Sequence, residues 1–220
     1  MKNLNQQILN FDYEQNFKDQ DFYVSKSNEY SFKFLNSWPR WEKNFVNLIG
    51  ENFSGKSHLI NIFLTKFKGT KISADLIDNS FLKKIKVHEN IIIEDLSDSI
   101  DENLLFTIIN TIDQDNKYLI LTSVKPIVEL KFKLDDLNSR SKNFLLSQIE
   151  QPEDDLMYAL ILKNLSDRQI SINKKLIDFI IKRISRSYGK ISDFIYKIDE
   201  ISLKRKKPID FKIIKEALGE

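Results

Sequence analysis

Gly50-Glu51-Asn52-Phe53-Ser54-Gly55-Lys56-Ser57 decides how this chain folds. The stretch is a complete G-x-x-x-x-G-K-[ST] phosphate loop. The apolar run Phe45–Ile49 leads directly into it and reads as a strand. Ser57–Phe67 follows, with Leu59, Ile60, Phe63 and Leu64 at helical spacing. Strand, loop and helix in that order are the context the motif requires. Glycine permits backbone conformations and close approaches that a side chain blocks. Successive backbone N–H groups and the N-terminus of the following helix then form an anion cradle. The candidate nucleotide contacts are therefore Gly50, Glu51, Asn52, Phe53, Ser54, Gly55, Lys56 and Ser57, with His58 next in the helix. Lys56 is expected to reach the β- and γ-phosphates of ATP or ADP, and Ser57 to hold Mg2+.

Such a site needs an acid near the metal. Ile91-Ile92-Ile93-Glu94-Asp95 supplies two, at the end of a β-branched run that reads as a buried strand. Glu94 is expected to hold Mg2+, and Asp95 to orient the attacking water. The commoner order places the shorter acid first, so this order is expected to weaken hydrolysis. A third buried strand, Tyr118–Thr122, ends in Thr122-Ser123. Ser123 would sit between the other two motifs, near the γ-phosphate, as a sensor.

The rest of the composition narrows the class. The chain has 220 residues, 41% hydrophobic and 30% charged, which is a globular composition and enough for an α/β domain with a small helical appendage. No apolar run approaches the ~20 residues of a membrane span. The N-terminus is polar and has no signal-peptide stretch. With no cysteine, disulfides, thiolate metal sites and a cysteine nucleophile are excluded. A cytoplasmic location without membrane association is the expectation. Net charge is +2, and Lys204–Lys207 before Pro208 reads as a solvated helix end, so direct sequence-specific DNA binding is not expected. His58 and His88 have no acidic partner at ligand spacing. Trp38 and Trp41 read as core anchors, and Asp154 and Asp155 as first-turn acids opposing a helix dipole.

Along the chain, residues 1–20 read as a flexible arm, 21–151 as the α/β nucleotide-binding core and 152–220 as a helical lid. Within the core, Lys71–Ala74 and Phe144–Ile149 read as further strands and Leu104–Ile112 as an amphipathic helix. After Pro152 only helices are predicted, over Glu153–Leu165, Lys174–Ser185, Ile191–Lys204 and Asp210–Leu218. The expected fold is α/β: a P-loop parallel sheet flanked by helices, with a small C-terminal all-helical lid subdomain.

These pieces, in this order, resemble the AAA+ domain of the replication initiator DnaA, and more closely the Hda family of alphaproteobacterial type. Asp21-Phe22-Tyr23-Val24 with Ser27-Asn28 looks like the segment that lies over the adenine. Trp38-Pro39-Arg40-Trp41 before the phosphate loop is similar to Hda. Leu121-Thr122-Ser123-Val124-Lys125-Pro126 resembles the sensor strand. Leu134-Asp135-Asp136-Leu137-Asn138-Ser139-Arg140 resembles the segment ending in an arginine finger, which makes Arg140 the residue offered in trans to a neighbour's nucleotide. Asp167-Arg168-Gln169 and Ile180–Ser187 resemble the lid. Gly189, with Lys190 beside it and Arg186 three residues earlier, falls where the family carries a second sensor arginine, so that sensor is expected to be missing. Glu220 falls just past the lid. The sequence continues into no helix-turn-helix domain and has no long helicase-contact domain, which is expected of an adaptor rather than an initiator.

Gln6-Gln7-Ile8-Leu9-Asn10-Phe11 fits Q-x-x-L-x-F and resembles the peptide by which bacterial proteins dock on the DNA sliding clamp. Gln6 would contact the pocket rim while Leu9 and Phe11 fill an apolar cleft. The resemblance thus implies a regulator of chromosomal replication initiation with weak or no ATPase activity of its own. It would bind ATP or ADP with Mg2+ and dock on the β subunit of the DNA polymerase III clamp. Arg140 would promote hydrolysis of ATP bound to DnaA. The alternative is a helicase loader of the DnaC type, or a self-sufficient AAA+ ATPase, using Lys56, Glu94, Asp95 and its own Arg140 in a homo-oligomer. A nucleotide-dependent DNA-binding protein is a third reading.

Overall fold

The computed structural model describes residues 22–220, so the arm and its candidate clamp contacts Gln6, Leu9 and Phe11 lie outside the described residues. Helix α1 (Glu29–Asn36) leads to β1 (Phe45–Ile49), followed by α2 (Lys56–Lys66), β2 (Gly69–Ser73), α3 (Phe81–Val87) and β3 (Asn90–Leu96). Then come α4 (Glu102–Gln114), β4 (Tyr118–Ser123), α5 (Asp135–Ser141) and β5 (Leu145–Gln148). Four helices complete the chain: α6 (Asp154–Asp167), α7 (Lys174–Ile181), α8 (Tyr188–Arg205) and α9 (Phe211–Leu218).

Among the described residues the strands form one five-stranded sheet in the order β2-β3-β4-β1-β5, all neighbours parallel. A parallel sheet is covered on both faces, so its central strands read as continuous apolar runs rather than alternations. Every residue of β1 is buried, as are the first five of β3 and the last five of β4. The pleat sends alternate side chains to opposite faces. Ile91 and Ile93 pack with Leu119 and Leu121 against α3, α4 and α5, through Phe81, Ile85, Leu105, Ile108, Ile109, Ile112 and Leu137. Ile92 and Ile120 pack with Val46 and Leu48 against α1 and α2, through Leu35, Leu59, Ile60 and Phe63. Trp41 belongs to this second face, stacked between Phe34 and Phe63, and Trp38 packs on Phe67 and Tyr118.

The C-terminal helices carry an apolar cluster of their own. It joins Ile161 and Leu165 of α6, Ile177 and Ile180 of α7, Ile195 and Ile198 of α8, and Ile213 and Ile214 of α9. Side-chain caps start three of these helices: Asn173 accepts from the Leu176 N–H, Ser187 from Lys190 and Asp210 from Ile213. Two residues of this region leave that cluster for the sheet's: Leu156, from the first turn of α6, and Tyr188, the first residue of α8. The ends of α6 and α8 nearest the sheet are thereby fastened to it.

The expected α/β fold with C-terminal helices is the one observed. The details differ where local chemistry overrides pattern. Strand β2 runs over Gly69–Ser73 rather than Lys71–Ala74, because Gly69 lets the chain pass against β3: a Cβ there would lie 2.6 Å from the Asn90 carbonyl oxygen. Helix α7 stops at Ile181, well before Ser185, as the Arg183 N–H turns back to the Ile180 carbonyl. Helix α8 starts at Tyr188 rather than Ile191, set by the Ser187 cap. No helix among the described residues is long and apolar enough to cross a membrane.

Ile120 is fully buried in β4, between β3 and β1. Replacing it with alanine is expected to lower the unfolding free energy by about 2–5 kcal/mol, measured by urea denaturation. A loss well under 1 kcal/mol would contradict its place in the core.

Candidate phosphate-binding cleft

Strand β1 ends at Ile49 and the loop begins at Gly50, whose N–H donates to the Ser123 carbonyl at the end of β4 (3.1 Å). The loop returns on itself at Phe53 (φ 67°) and Gly55 (φ 92°), and α2 starts at Lys56. Gly55 is required twice. Its left-handed backbone suits glycine, and a Cβ there would meet the Phe22 ring at 3.2 Å. Gly50 has no room either, since a Cβ would lie 2.6 Å from Ser54 Oγ. The loop thus presents the uncapped N-terminus of an 11-residue helix, where free N–H groups and the helix dipole favour an anion.

Lys56 is only 5% exposed. Its Nζ donates to the Gly50 carbonyl at 2.8 Å and the Glu51 carbonyl at 3.0 Å. Burial pulls its pKa below the usual lysine value, while the negative charges of Asp95, Glu51 and Glu94 oppose that shift. A buried ammonium resting on its own loop's carbonyls can exchange them for phosphate oxygens, which make stronger, charge-assisted bonds. Ser54 Oγ is buried in the same loop and lacks a hydrogen-bond partner.

Asn52, Phe53, Ser54, Gly55, Lys56, Ser57 and His58 form one wall of a cleft of about 420 Å³. The opposite wall comes from the C-terminal helices: Leu160 and Asn164 of α6, and Tyr188, Ile191 and Ser192 of α8. That volume suits a small-molecule ligand, for which sites run to roughly 300–1,000 Å³. His58 is buried, edge-on to Phe22 at 5.2 Å, so its ring packs under the N-terminal segment. Phe22 stacks in turn on Phe32. Ser27 joins that segment to both sides: its carbonyl accepts from the Glu150 N–H at 2.8 Å, and its hydroxyl lies 3.4 Å from the Tyr188 hydroxyl.

The two acids separate. Asp95 lines the cleft, together with Ser57. Its backbone is left-handed (φ 58°), at an irregularity of β3 between Ile93 and Leu96, and its N–H donates to Thr122 Oγ1 at 2.9 Å. Glu94 is buried and pairs through one oxygen with Lys71 Nζ at 3.1 Å, while its other oxygen has no partner. Hydroxyl and carboxylate together suit the hard-cation chemistry of Mg2+. Asp95 and Ser57 line the same cleft, while Glu94 pairs with Lys71 of β2 and is not among the residues that line it.

Ser123 is buried behind the loop. Its hydroxyl donates to the Lys125 carbonyl at 2.6 Å and accepts from Asn47 Nδ2 at 2.8 Å. Asn47 also donates to the Leu121 carbonyl at 3.2 Å and accepts from the Ile127 N–H at 2.8 Å. Ser123 therefore fixes the turn after β4 and is not among the residues lining the cleft. Arg140 is on neither wall. It lies in the last turn of α5, with side-chain exposure of 33%, its Nη1 is 3.0 Å from Asp113 Oδ2, and its guanidinium lies 5.8 Å from the Phe106 ring centre. Arg186 pairs with Asp154 across the starts of α8 and α6 at 2.9 Å. Glu51 is not among the residues lining the cleft, and its carboxylate accepts from the Tyr188 N–H at the start of α8. Sequence reasoning missed Asn47 and Tyr188. A polar residue inside an otherwise apolar strand is a signal that could have found Asn47.

No family model matches the chain. In sequence it is 28% identical over 199 residues to the chromosomal replication initiator protein DnaA of Helicobacter hepaticus. That alignment covers 78% of this chain but 42% of the relative, so the chain spans about two fifths of that protein's length. In structure it is similar to domain III of the Thermotoga maritima replication initiation protein DnaA. There the TM-score is 0.75 at 19% identity, with 94% of this chain and 97% of that one covered. AMPPCP-bound DnaA from Aquifex aeolicus superposes with a TM-score of 0.65 at 20% identity, covering 85% of this chain and 67% of that one. The chain is thus similar in sequence to part of DnaA and has the fold of DnaA domain III.

Proposed function

We propose that this chain is a nucleotide-binding regulator of chromosomal replication initiation. In this reading it holds ATP or ADP in its own cleft and offers Arg140 to ATP held by DnaA. Lys56 exchanges the Gly50 and Glu51 carbonyls for phosphate oxygens. Ser57 and Asp95, which line the same cleft, would hold Mg2+, and the ion would supply charge neutralisation for the bound phosphates. The relative bound to AMPPCP supports a nucleoside triphosphate as ligand.

The observation that carries the in-trans reading is the separation of Arg140 from the cleft. The loop, Ser57 and Asp95 share one cavity, while Arg140 stands partly exposed on another helix, held by Asp113 and Phe106. A guanidinium placed there serves a phosphate carried by another subunit, where it neutralises charge developing on the γ-phosphoryl oxygens. Gln6, Leu9 and Phe11 would tether the protein to the sliding clamp and raise its effective concentration near DNA-loaded partners. A self-sufficient AAA+ ATPase or helicase loader is the second reading. Its support is Asp95, an acid on the same cleft as Lys56 and Ser57. Arg140 of the next copy would complete that site.

Lys56→Ala is expected to weaken ADP binding by at least about 10-fold, since a hydrogen bond to a charged group contributes about 1.5–3 kcal/mol. Calorimetric titration checks this, and unchanged affinity would contradict the cleft's role. In steady-state assays with clamp loaded on DNA, the wild-type chain is expected to accelerate ATP hydrolysis by DnaA. Arg140→Ala should abolish about 10³-fold or more of any finger-dependent rate. Replacing Gln6, Leu9 and Phe11 together with alanine should reduce the acceleration. Full acceleration by Arg140→Ala would remove the finger from the mechanism, and brisk ATP turnover by the chain alone would favour the second reading.

A further inference from the structure

Glu51 occupies a variable position of the phosphate loop, yet its carboxylate bonds neither to the loop nor to Lys56 Nζ. It reaches the start of α8, 136–138 residues away in sequence. The Ser187 hydroxyl donates to Oε1, the Tyr188 N–H donates to Oε2 at 3.0 Å, and the Gly189 N–H to Oε1 at 3.3 Å. The Tyr188 and Gly189 N–H groups belong to the first turn of an 18-residue helix, capped by Ser187, where such groups otherwise lack partners and favour negative charge. Gly189 leaves room for the carboxylate, since a Cβ there would stand 3.2 Å from Oε1. Beside this contact the Tyr188 hydroxyl donates to the Glu150 carbonyl at 3.0 Å, so the same turn of α8 is tied to the end of the core twice. Among the described residues, the α6 and α8 side chains that line the cleft are Leu160, Asn164, Tyr188, Ile191 and Ser192, and none is a cation.

We propose that Glu51 is a positioning residue that latches the lid, formed by α6–α9, onto the phosphate loop. The anion that holds the lid's helix terminus is then supplied by the chain itself and not by the terminal phosphate of a nucleotide. The lid stays closed over the loop with ADP, with ATP, or with neither. Bound nucleotide leaves when the latch opens. This inference rests on the nucleotide-binding reading of the cleft, but its central contact can be measured without nucleotide.

The test is hydrogen exchange on the nucleotide-free protein, followed by titration with ADP and with ATP. In Glu51→Ala, amides at Tyr188 and Gly189 should exchange at least about 10-fold faster, reflecting loss of charge-assisted bonds, while β3 and β4 amides keep wild-type protection. Affinity should fall about 10-fold for ADP and ATP alike, with faster dissociation of both. Glu51→Gln, which keeps the acceptor oxygen and loses the charge, should lie between. Ser187→Ala should give a smaller effect in the same direction, and the double variant should be no worse than Glu51→Ala alone. Unchanged exchange at 188–189 overturns the latch. So does tighter nucleotide binding by Glu51→Ala, because it would make the carboxylate a mere repulsion beside the phosphates. If wild type binds no nucleotide, the cleft reading fails, while faster exchange in Glu51→Ala would still establish the latch.

Discussion

The ammonium of Lys56 lies buried at the N-terminus of α2, with two carbonyls of its own loop as partners. An ion removed from water without partners would carry a penalty of several kcal/mol. The chain offsets this with the Gly50 and Glu51 carbonyls and with three nearby acids, Asp95, Glu51 and Glu94. The surrounding architecture serves that arrangement. Strand β1 lies between β4 and β5, so Gly50 emerges beside Ser123 and is held by its carbonyl. Asn47 and Ser123 lock the turn after β4, and Thr122 fixes the backbone of Asp95. Hydrogen bonds thus tie the ends of β1 and β4 to each other through Gly50 and Ser123, and the ends of β3 and β4 through Asp95 and Thr122.

The lid meets this centre through an anion of the loop. Glu51 holds the start of α8, Tyr188 reaches Glu150, and Leu156 and Tyr188 share the apolar cluster on the α1–α2 face of the sheet. Core and lid are therefore joined by polar contacts at the loop and apolar contacts beside it, with the cleft between. Arg140 stands apart from both. It belongs to the α4–α5 side of the sheet, where it pairs with Asp113 and lies over Phe106.

Much of this was legible in the residues. The strand–loop–helix unit around Lys56, and the buried strands ending at Asp95 and Ser123, announced themselves as short apolar runs with polar ends. Helices α1 and α3 did not. Helix α3 is 7 residues long, about two turns, which leaves little period to read. The division of labour between Glu94 and Asp95 was hidden for a different reason. Alternation along a regular strand predicts which side chain faces where, but β3 is irregular between Ile93 and Leu96 and Asp95 takes a left-handed backbone. Nothing in Ile-Ile-Ile-Glu-Asp signals that break. The roles of Glu51 and Ser123 were equally hidden, because each is decided by partners that only the fold brings near.

The central claim is that Arg140 acts on nucleotide held by another protein. The most direct measurement is single-turnover hydrolysis of labelled ATP preloaded on DnaA. This chain would be added as Lys56→Ala, which is expected to hold the label in its own cleft at least about 10-fold more weakly. The account predicts that DnaA loses its γ-phosphate faster in the presence of that variant, and that adding Arg140→Ala to it removes the acceleration. Hydrolysis on DnaA that proceeds at the same rate with and without this chain would contradict the account.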